Sequence, residues 1–477
     1  VARVVVVSNR VPVPTEGTPR AGGLAVALKD VIKVGGLWFG WSGRTAETTS
    51  TAAEIRSVGK VDYATIDLSD DDYRHFYVGY ANGTLWPLLH FRPGLLEFER
   101  SDFESYLAVN RTLARALAPL IRPDDLIWVH DYHLIPLGSE LRALGITNRI
   151  GFFLHIPWVP PSLFEALPQS DRLLRMMCDF DVVGFQTAQH LRDFEDCMRG
   201  LLGLSSVPGV GIQMAGRTML PVATPIGIDA RAFARQAKRA ASAQATRRLI
   251  DSLVGRGLII GVDRLDYSKG LQNRFEAFSR LLERWPEHRL KVSYLQVAAR
   301  SREDVLEYQR LKRELDRRAG EINGRFAEFD WVPLRYMTRP IARAALAGFY
   351  RVARVGLVTP LRDGMNLVAK EYIAAQDPED PGVLVLSRFA GAAEELDDAI
   401  VINPHDADEI AEALHQALTM PLEVRKARHE RLFEKVCRTT AHTYCRDFIS
   451  ALTRPTPTSP ATAAPSYGPH AAAASLQ

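Results

Sequence analysis

Arg264 and Lys269 stand five residues apart in Gly261-Val-Asp-Arg-Leu-Asp-Tyr-Ser-Lys-Gly270, directly after an apolar run. An arginine fork and a lysine point charge on one turn, beside a helix start, suit a phosphate or diphosphate. Surface ion pairs with Asp263 or Asp266 are the competing reading. A second string, Val358-Thr-Pro-Leu-Arg-Asp-Gly-Met-Asn-Leu-Val-Ala-Lys-Glu371, sets Asp363 and Glu371 on either side of a turn made by Gly364, Met365, Asn366, Leu367 and Val368. The backbone N–H groups of such a turn can face phosphate. Asp363 can accept from sugar hydroxyls, and the two oxygens of Glu371 match a ribose diol. An Asp helix cap with a solvated Glu is the alternative.

Other strings are weaker singly. Trp128-Val-His-Asp-Tyr-His133 holds His130, Asp131 and His133 at a strand end, where alternate residues face opposite ways. Asp131 is therefore read as an acceptor for substrate hydroxyls, and the two histidines as hydrogen-bonded within the fold rather than as metal ligands. His155 ends another strand-like string, Gly151-Phe-Phe-Leu-His-Ile-Pro-Trp158, at a cleft edge or in the core. Tyr77 and Trp86 flank Asn82-Gly83, read as a turn, and either stack on a sugar or fill the core. Gly22 and Gly23, soon after Ser8-Asn-Arg10, allow close approach of a phosphate at a helix start, without the GxGxxG dinucleotide fingerprint.

These strings mostly follow short β-branched or apolar runs: residues 3–8, 126–129, 150–154, 182–185, 258–262, 292–297, 355–358 and 383–386. Helical spacing fills the intervals, as in 162–179 and 304–318. Strands alternating with helices predict an α/β chain with parallel, doubly wound sheets. The runs fall into two groups separated by an Ala/Arg/Gln-rich stretch, 230–252. The expected organisation is a domain over 1–230, a second over 231–453 whose last helix crosses back, and a disordered Pro/Ala/Ser/Thr tail over 454–477. Ligands of such sheets bind beyond the carboxyl ends of the strands.

The chain has 477 residues, 59 basic and 56 acidic, for a net charge of +3. That balance predicts no nucleic-acid partner, so any anionic ligand must meet local cations. Four cysteines at 178, 197, 437 and 445 fit no zinc spacing and read as reduced thiols of a cytoplasmic protein. No run of eighteen apolar residues predicts a membrane span.

Taken in order, Ser8-Asn-Arg10, Gly36-Leu-Trp-Phe-Gly-Trp-Ser42, His130-Asp-Tyr-His133, Phe153-Leu-His-Ile-Pro157, Gly184-Phe-Gln-Thr187, Arg264-Leu-Asp-Tyr-Ser-Lys-Gly270 and the stretch from Arg362 to Glu371 resemble the trehalose-6-phosphate synthase family. The resemblance extends from about Arg3 into the 440s. It implies two facing Rossmann-like domains of the GT-B glycosyltransferase architecture. It also implies transfer of glucose from UDP-glucose to glucose 6-phosphate with retention, without metal or cofactor. By the same resemblance Gly22 and Gly23 lie by the donor phosphates, Arg264 and Lys269 hold the diphosphate with the N–H groups of Leu367 and Val368, and Glu371 binds the ribose. Asp363, with Gly364, Met365 and Asn366, grips the donor glucose near His155. Ile341 falls by the base, where some members carry an aromatic residue, so ADP-glucose and GDP-glucose stand beside UDP-glucose as donors. Arg10 and Arg302 clamp the acceptor phosphate, while Tyr77, Trp86 and Asp131 position its ring and hydroxyls. Arg302 is preferred to Arg300 because Ser301-Arg302 matches the family string. The alternatives are a retaining glycosyltransferase with a neutral acceptor, and a regulatory protein that kept the fold. A homo-oligomer is compatible with either.

Overall fold

Four consecutive valines stand at positions 4–7, and such a run is stable as a strand only where both faces are covered. In the computed structural model, which describes residues 2–14, 28, 32, 35–302 and 304–454, this strand is β1 (Val4–Arg10), near the middle of a nine-stranded sheet. Its companions are β2 (Leu37–Ala46), β3 (Glu54–Val58), β4 (Val61–Ser69), β5 (Leu126–His130), β6 (Ile150–Phe153), β7 (Val182–Phe185), β8 (Ile212–Met214) and β9 (Arg217–Ala223). The order is β3-β4-β2-β1-β5-β6-β7-β9-β8. All pairings are parallel except the edge hairpins β3–β4 and β8–β9.

The second sheet is wholly parallel, in the order β12-β11-β10-β13-β14-β15. It comprises β10 (Gly257–Arg264), β11 (Val292–Ala299), β12 (Leu334–Met337), β13 (Val355–Val358), β14 (Val383–Ser387) and β15 (Ile400–Ile402). Helices pack on both sheets, giving an α/β molecule with two doubly wound, Rossmann-like units. In each sheet the order reverses beside one strand: β1 lies between β2 and β5, and β10 between β11 and β13. Loops leaving neighbouring strands diverge at such points and open a crevice. Arg10 ends β1, Asp131 follows β5, Arg264 ends β10 and Asp363 follows β13. Topology alone therefore puts these four side chains at two crevice mouths.

The helix Ala441–Thr453 returns to the first sheet after the second is complete. A reciprocal Thr440–Thr443 cap starts it. Phe448 stacks on Trp128 at 4.6 Å and sits over Gly151 and Gly184, where a Cβ would meet its ring at 2.7 Å. Truncating such a buried ring costs about 3–5 kcal/mol.

Several expected elements differ. The 162–179 stretch is two helices, Pro161–Phe164 and Ser170–Met177, because Pro168 interrupts it and Gln169 takes φ 61°. Asn82-Gly83 is not a turn. It lies inside a wide π-type helix, Tyr73–Leu85, whose Phe76 and Tyr80 are buried and whose Gly79 admits the Asp102 carboxylate. The expected disordered tail falls outside the described residues from 455 onward, as do Gly22 and Gly23.

Candidate active site

The turn after β10 is built by Asp266, whose carboxylate accepts from Ser268 N–H at 2.9 Å. Gly270 follows at φ 67°, where a Cβ would lie 2.3 Å from the Thr359 carbonyl, so the next helix, Leu271–Arg284, starts hard against the β13 loop. This contact brings Lys269 to Asp363, Nζ to Oδ2 at 2.6 Å, across 94 residues of sequence. Asn366 Nδ2 donates to the same oxygen at 3.0 Å. Burial alone would raise Asp363, but Lys269, His90 and Asn366 outweigh it and hold the carboxyl below its ordinary range. Asp263, the other candidate partner, is taken by buried Arg274 at 2.7 Å. Arg274 also bonds Thr359 Oγ1 at 3.0 Å and Gln296 Oε1 at 2.9 Å. The surface ion-pair reading of this turn thus fails, because Lys269 is buried and reaches into the crevice. Arg264 is exposed, with its guanidinium 5.5 Å from the Trp86 ring.

Asn366 caps the helix Leu367–Ala375, its Oδ1 accepting from Ala369 N–H at 3.2 Å. The cap is this asparagine and not Asp363, which leaves Asp363 for the crevice. The first-turn N–H groups of Leu367 and Val368 precede any intrahelical acceptor and point outward at the positive helix end. Met365 is buried beneath this turn. Glu371 is engaged rather than solvated: Arg343 bonds its Oε1 through Nε at 2.9 Å and through a terminal nitrogen at 2.8 Å. Burial pushes its carboxyl up, against the pull of Arg343. Ile341 lies two residues before Arg343, packed at the edge of the core.

The first domain meets this cluster through backbone. A Cβ at Gly364 would stand 2.0 Å from the His155 carbonyl oxygen, so only glycine lets the two walls approach so closely. The Asp131 carboxylate accepts from His155 N–H at 3.3 Å. Burial raises Asp131 to about 6, opposed by N–H bonds from Tyr132 and His155 and by the charges of Arg302 and Arg264. The His155 ring bonds His130 Nδ1 through Nε2 at 3.1 Å and Gln186 Nε2 through Nδ1 at 3.2 Å. With both nitrogens engaged and burial lowering it to about 3, the imidazole stays neutral and offers no proton-transfer site. In this structure the ring is a fixed, neutral part of the crevice wall.

Arg302 bridges the domains. It donates to Tyr132 Oη at 3.0 Å and Tyr308 Oη at 2.6 Å, lies 3.7 Å from Asp266 Oδ2, and stacks 3.7 Å from the Trp86 ring. Arg302 therefore covers one face of Trp86, and His90 stacks on the ring at 3.9 Å. Trp86 is buried with both ring faces covered, which fits the core alternative for its rings. What it presents is its indole N–H, without a partner among the described residues. Tyr77 stacks between Tyr73, at 5.4 Å, and His133, at 5.7 Å. Arg10 crosses Gly43, where a Cβ would lie 2.4 Å from Nε. The charge of Arg10 acts on Tyr73, and Arg302 interacts electrostatically with Tyr77, which stacks on Tyr73. Asp131, Arg302 and Asn366 all have φ above 50° without being glycine, a backbone cost of about 1–3 kcal/mol each concentrated around the crevice.

Arg343, Gln186 and Tyr132 escaped the sequence reading. Gln186 stood in the string Gly184-Phe-Gln-Thr187 without a role attached, and Arg343 carried no local signal. Among the described residues, one group has metal-ligating atoms in mutual range: Glu287, His288 and His415. It lies at the opposite, amino-terminal edge of the second sheet, and His288 Nε2 and His415 Nδ1 already bond each other at 2.9 Å.

Comparison with known proteins agrees with this geometry. A trehalose-6-phosphate synthase of Sinorhizobium fredii is 48% identical over 458 residues, 95% of this chain and 98% of its own. The crystal structure of an α,α-trehalose-phosphate synthase (UDP-forming) from Burkholderia xenovorans, in complex with glucose 6-phosphate, matches with TM-score 0.91 and 48% identity, covering 94% of this chain and all of that one. The trehalose-6-phosphate synthase structure from E. coli bound with UDP-2-fluoro glucose matches with TM-score 0.89 and 44% identity, covering 94% and 99%. The two facing units form the GT-B architecture. Residues 2–454 match the model of glycosyltransferase family 20, and the chain belongs to that family.

Proposed function

We propose that the chain transfers glucose from UDP-glucose to glucose 6-phosphate with retention, releasing UDP and α,α-trehalose 6-phosphate. The observation that carries this reading is the crevice itself: Arg264, Lys269 and Asp363 on one side, Asp131 and the His155 carbonyl on the other, joined at Gly364. Arg264, Lys269 and the N–H groups of Leu367 and Val368 take the diphosphate, and the oxygens of Glu371 the ribose. Diphosphate draws Lys269 from Asp363, which frees that carboxylate for the donor glucose. Arg10 and Arg302 take the acceptor phosphate, with Tyr77, the Trp86 indole N–H and Asp131 on the sugar. Two arginines from different domains on one anion favour a closed cleft.

Retention needs either a protein nucleophile below the anomeric carbon or attack from the face of the departing group. The front-face route suits this site. The donor C1–O bond breaks, the acceptor C1 hydroxyl adds to the same face, and its proton passes to the departing phosphate oxygen. The neutral His155 ring takes no part in that transfer. Negative charge grows on UDP, and Arg264 and Lys269 stabilise it where it develops.

The test is UDP release from UDP-glucose in EDTA, with and without glucose 6-phosphate. Release only with the acceptor supports the reading. Release that ignores it, or appears only with ADP-glucose or GDP-glucose, overturns the acceptor or donor assignment respectively. A cytoplasmic site of action accompanies the reading. No helix among the described residues is long and apolar enough to cross a membrane, and the four cysteines are not joined in disulfides.

A further inference from the structure

We propose that Gln186 is a positioning residue for glucosyl transfer, holding the His155 ring in one tautomer and tying it to the crossover peptide of Ile226. The inference rests on the transfer reading above. Gln186 is buried just past β7. Its Oε1 accepts from Ile226 N–H at 2.9 Å, which fixes the amide orientation and leaves Nε2 to face His155 Nδ1 at 3.2 Å. An amide nitrogen only donates, so Nδ1 must accept and the ring proton sits on Nε2. That proton is donated to His130 Nδ1 at 3.1 Å. His130 then carries its own proton on Nε2, which is buried and without a partner among the described residues.

The other end of the chain reaches the opposite domain. The Ile226 carbonyl accepts from Lys370 Nζ at 3.0 Å, and that ammonium also holds Glu395 at 3.0 Å. Lys370 is fully buried in the helix Leu367–Ala375, whose amino end faces the diphosphate in the reading above. One hydrogen-bonded line thus joins the donor-binding helix, the interdomain crossover and the wall formed by His155. The titratable groups facing His155 are His130 on β5, Asp131 in the following loop and Tyr444 on the last helix. The neutral ring is fixed by geometry from both sides.

Two substitutions separate positioning from packing. Q186M keeps the volume and removes both bonds. The expected result is a fall in kcat of about tenfold or more, with both substrate KM values nearly unchanged. Q186E replaces the donor by a carboxylate, which at high pH forces the His155 proton onto Nδ1. One added proton, on the carboxylate or the ring, restores the Nε2–H. Turnover of Q186E should therefore rise as pH is lowered through one titration absent from the wild type. A Q186E profile that follows the wild type, or a Q186M kcat near normal, overturns the inference. If the variants do not fold, long-range 15N correlation on histidine-labelled wild-type protein decides: a neutral Nε2–H form for His155 supports it, and an Nδ1–H or charged ring refutes it. Wild-type UDP release is run alongside, and its failure counts against the transfer reading instead.

Discussion

The two walls of the crevice are built on opposite electrostatic plans. The second-domain wall is charged throughout: Lys269 pairs with Asp363, Arg274 with Asp263, and Asp266 lies near Arg302, Arg264 and Lys269. Burial would raise Asp266, but those three cations outweigh it and hold it below its ordinary range. The first-domain wall is nearly neutral. Burial lowers His155 and His90 to about 3, and His130 and His133 fall well below their ordinary value. Its one acid, Asp131, is raised to about 6. In the transfer reading proposed above, charge therefore stands ready where the diphosphate departs, and a neutral, hydrogen-bonding surface where the sugar hydroxyls lie. A fixed cation in a dry crevice needs no rearrangement as charge develops, which is where electrostatic catalysis gains most.

The largest test of this contrast is Arg264→Ala. Losing one preorganised cation is expected to cost about 3–4 kcal/mol in the transition state, a fall in turnover of two to three orders of magnitude. Binding of UDP-glucose should weaken much less than turnover falls, and the circular dichroism spectrum should be unchanged. Near-normal UDP release would show that the charged wall does not carry catalysis.

Asp131→Asn probes the neutral wall. Because the folded pKa lies above the unfolded one, the native state loses stability as pH rises from about 4 to about 6, and the cost is fully present above that. The variant should gain on the order of 1–2 kcal/mol at neutral pH, seen as a higher Tm, while turnover falls about tenfold. The Tm gain should vanish near pH 4, and a pH-independent gain would sever the link to this carboxylate.

Arg302→Lys keeps the charge but loses the planar stack on Trp86 and the fork to Tyr132 and Tyr308. The KM for glucose 6-phosphate should rise about tenfold, with that for UDP-glucose nearly constant. Equal rises in both would place Arg302 in the cleft's architecture rather than at the acceptor. Glu394→Gln is the mildest case. This carboxylate accepts from Ala188 and Gln189 N–H at 3.3 and 3.4 Å, capping a first-domain helix from the second domain. Its neutralisation should cost under about 1 kcal/mol in Tm measurements. A larger loss would reveal a latch between the walls.

Much of the fold was legible because its signals are local. The valines of β1, the apolar runs of β5, β10 and β13, and the polar strings after them need only neighbouring residues to declare a buried parallel strand and a ligand-facing loop. The strands β2, β4 and β9 were not read from the sequence, and neither were the short strands β8, β12 and β15 or the edge strand β3. β3 is exposed along its whole length, and three- or four-residue strands lack a period. Asn82-Gly83 misled because the packing of Phe76 and Tyr80 overrode its turn preference.

For the site, the sequence alone placed Arg10, Asp131, Arg264 and Asp363 at or just past strand ends, Lys269 just before a helix start and Glu371 one turn into a helix, and chain order suffices for that much. Only the tertiary structure decided what each one faces. Lys269 finds Asp363 rather than Asp266, Glu371 finds Arg343, Trp86 is roofed by Arg302, and both nitrogens of His155 are occupied. Periodicity and turn chemistry are set within a few residues along the chain. Ion-pair partners, ring tautomers and pKa values are set by whatever lies within a few ångströms in space.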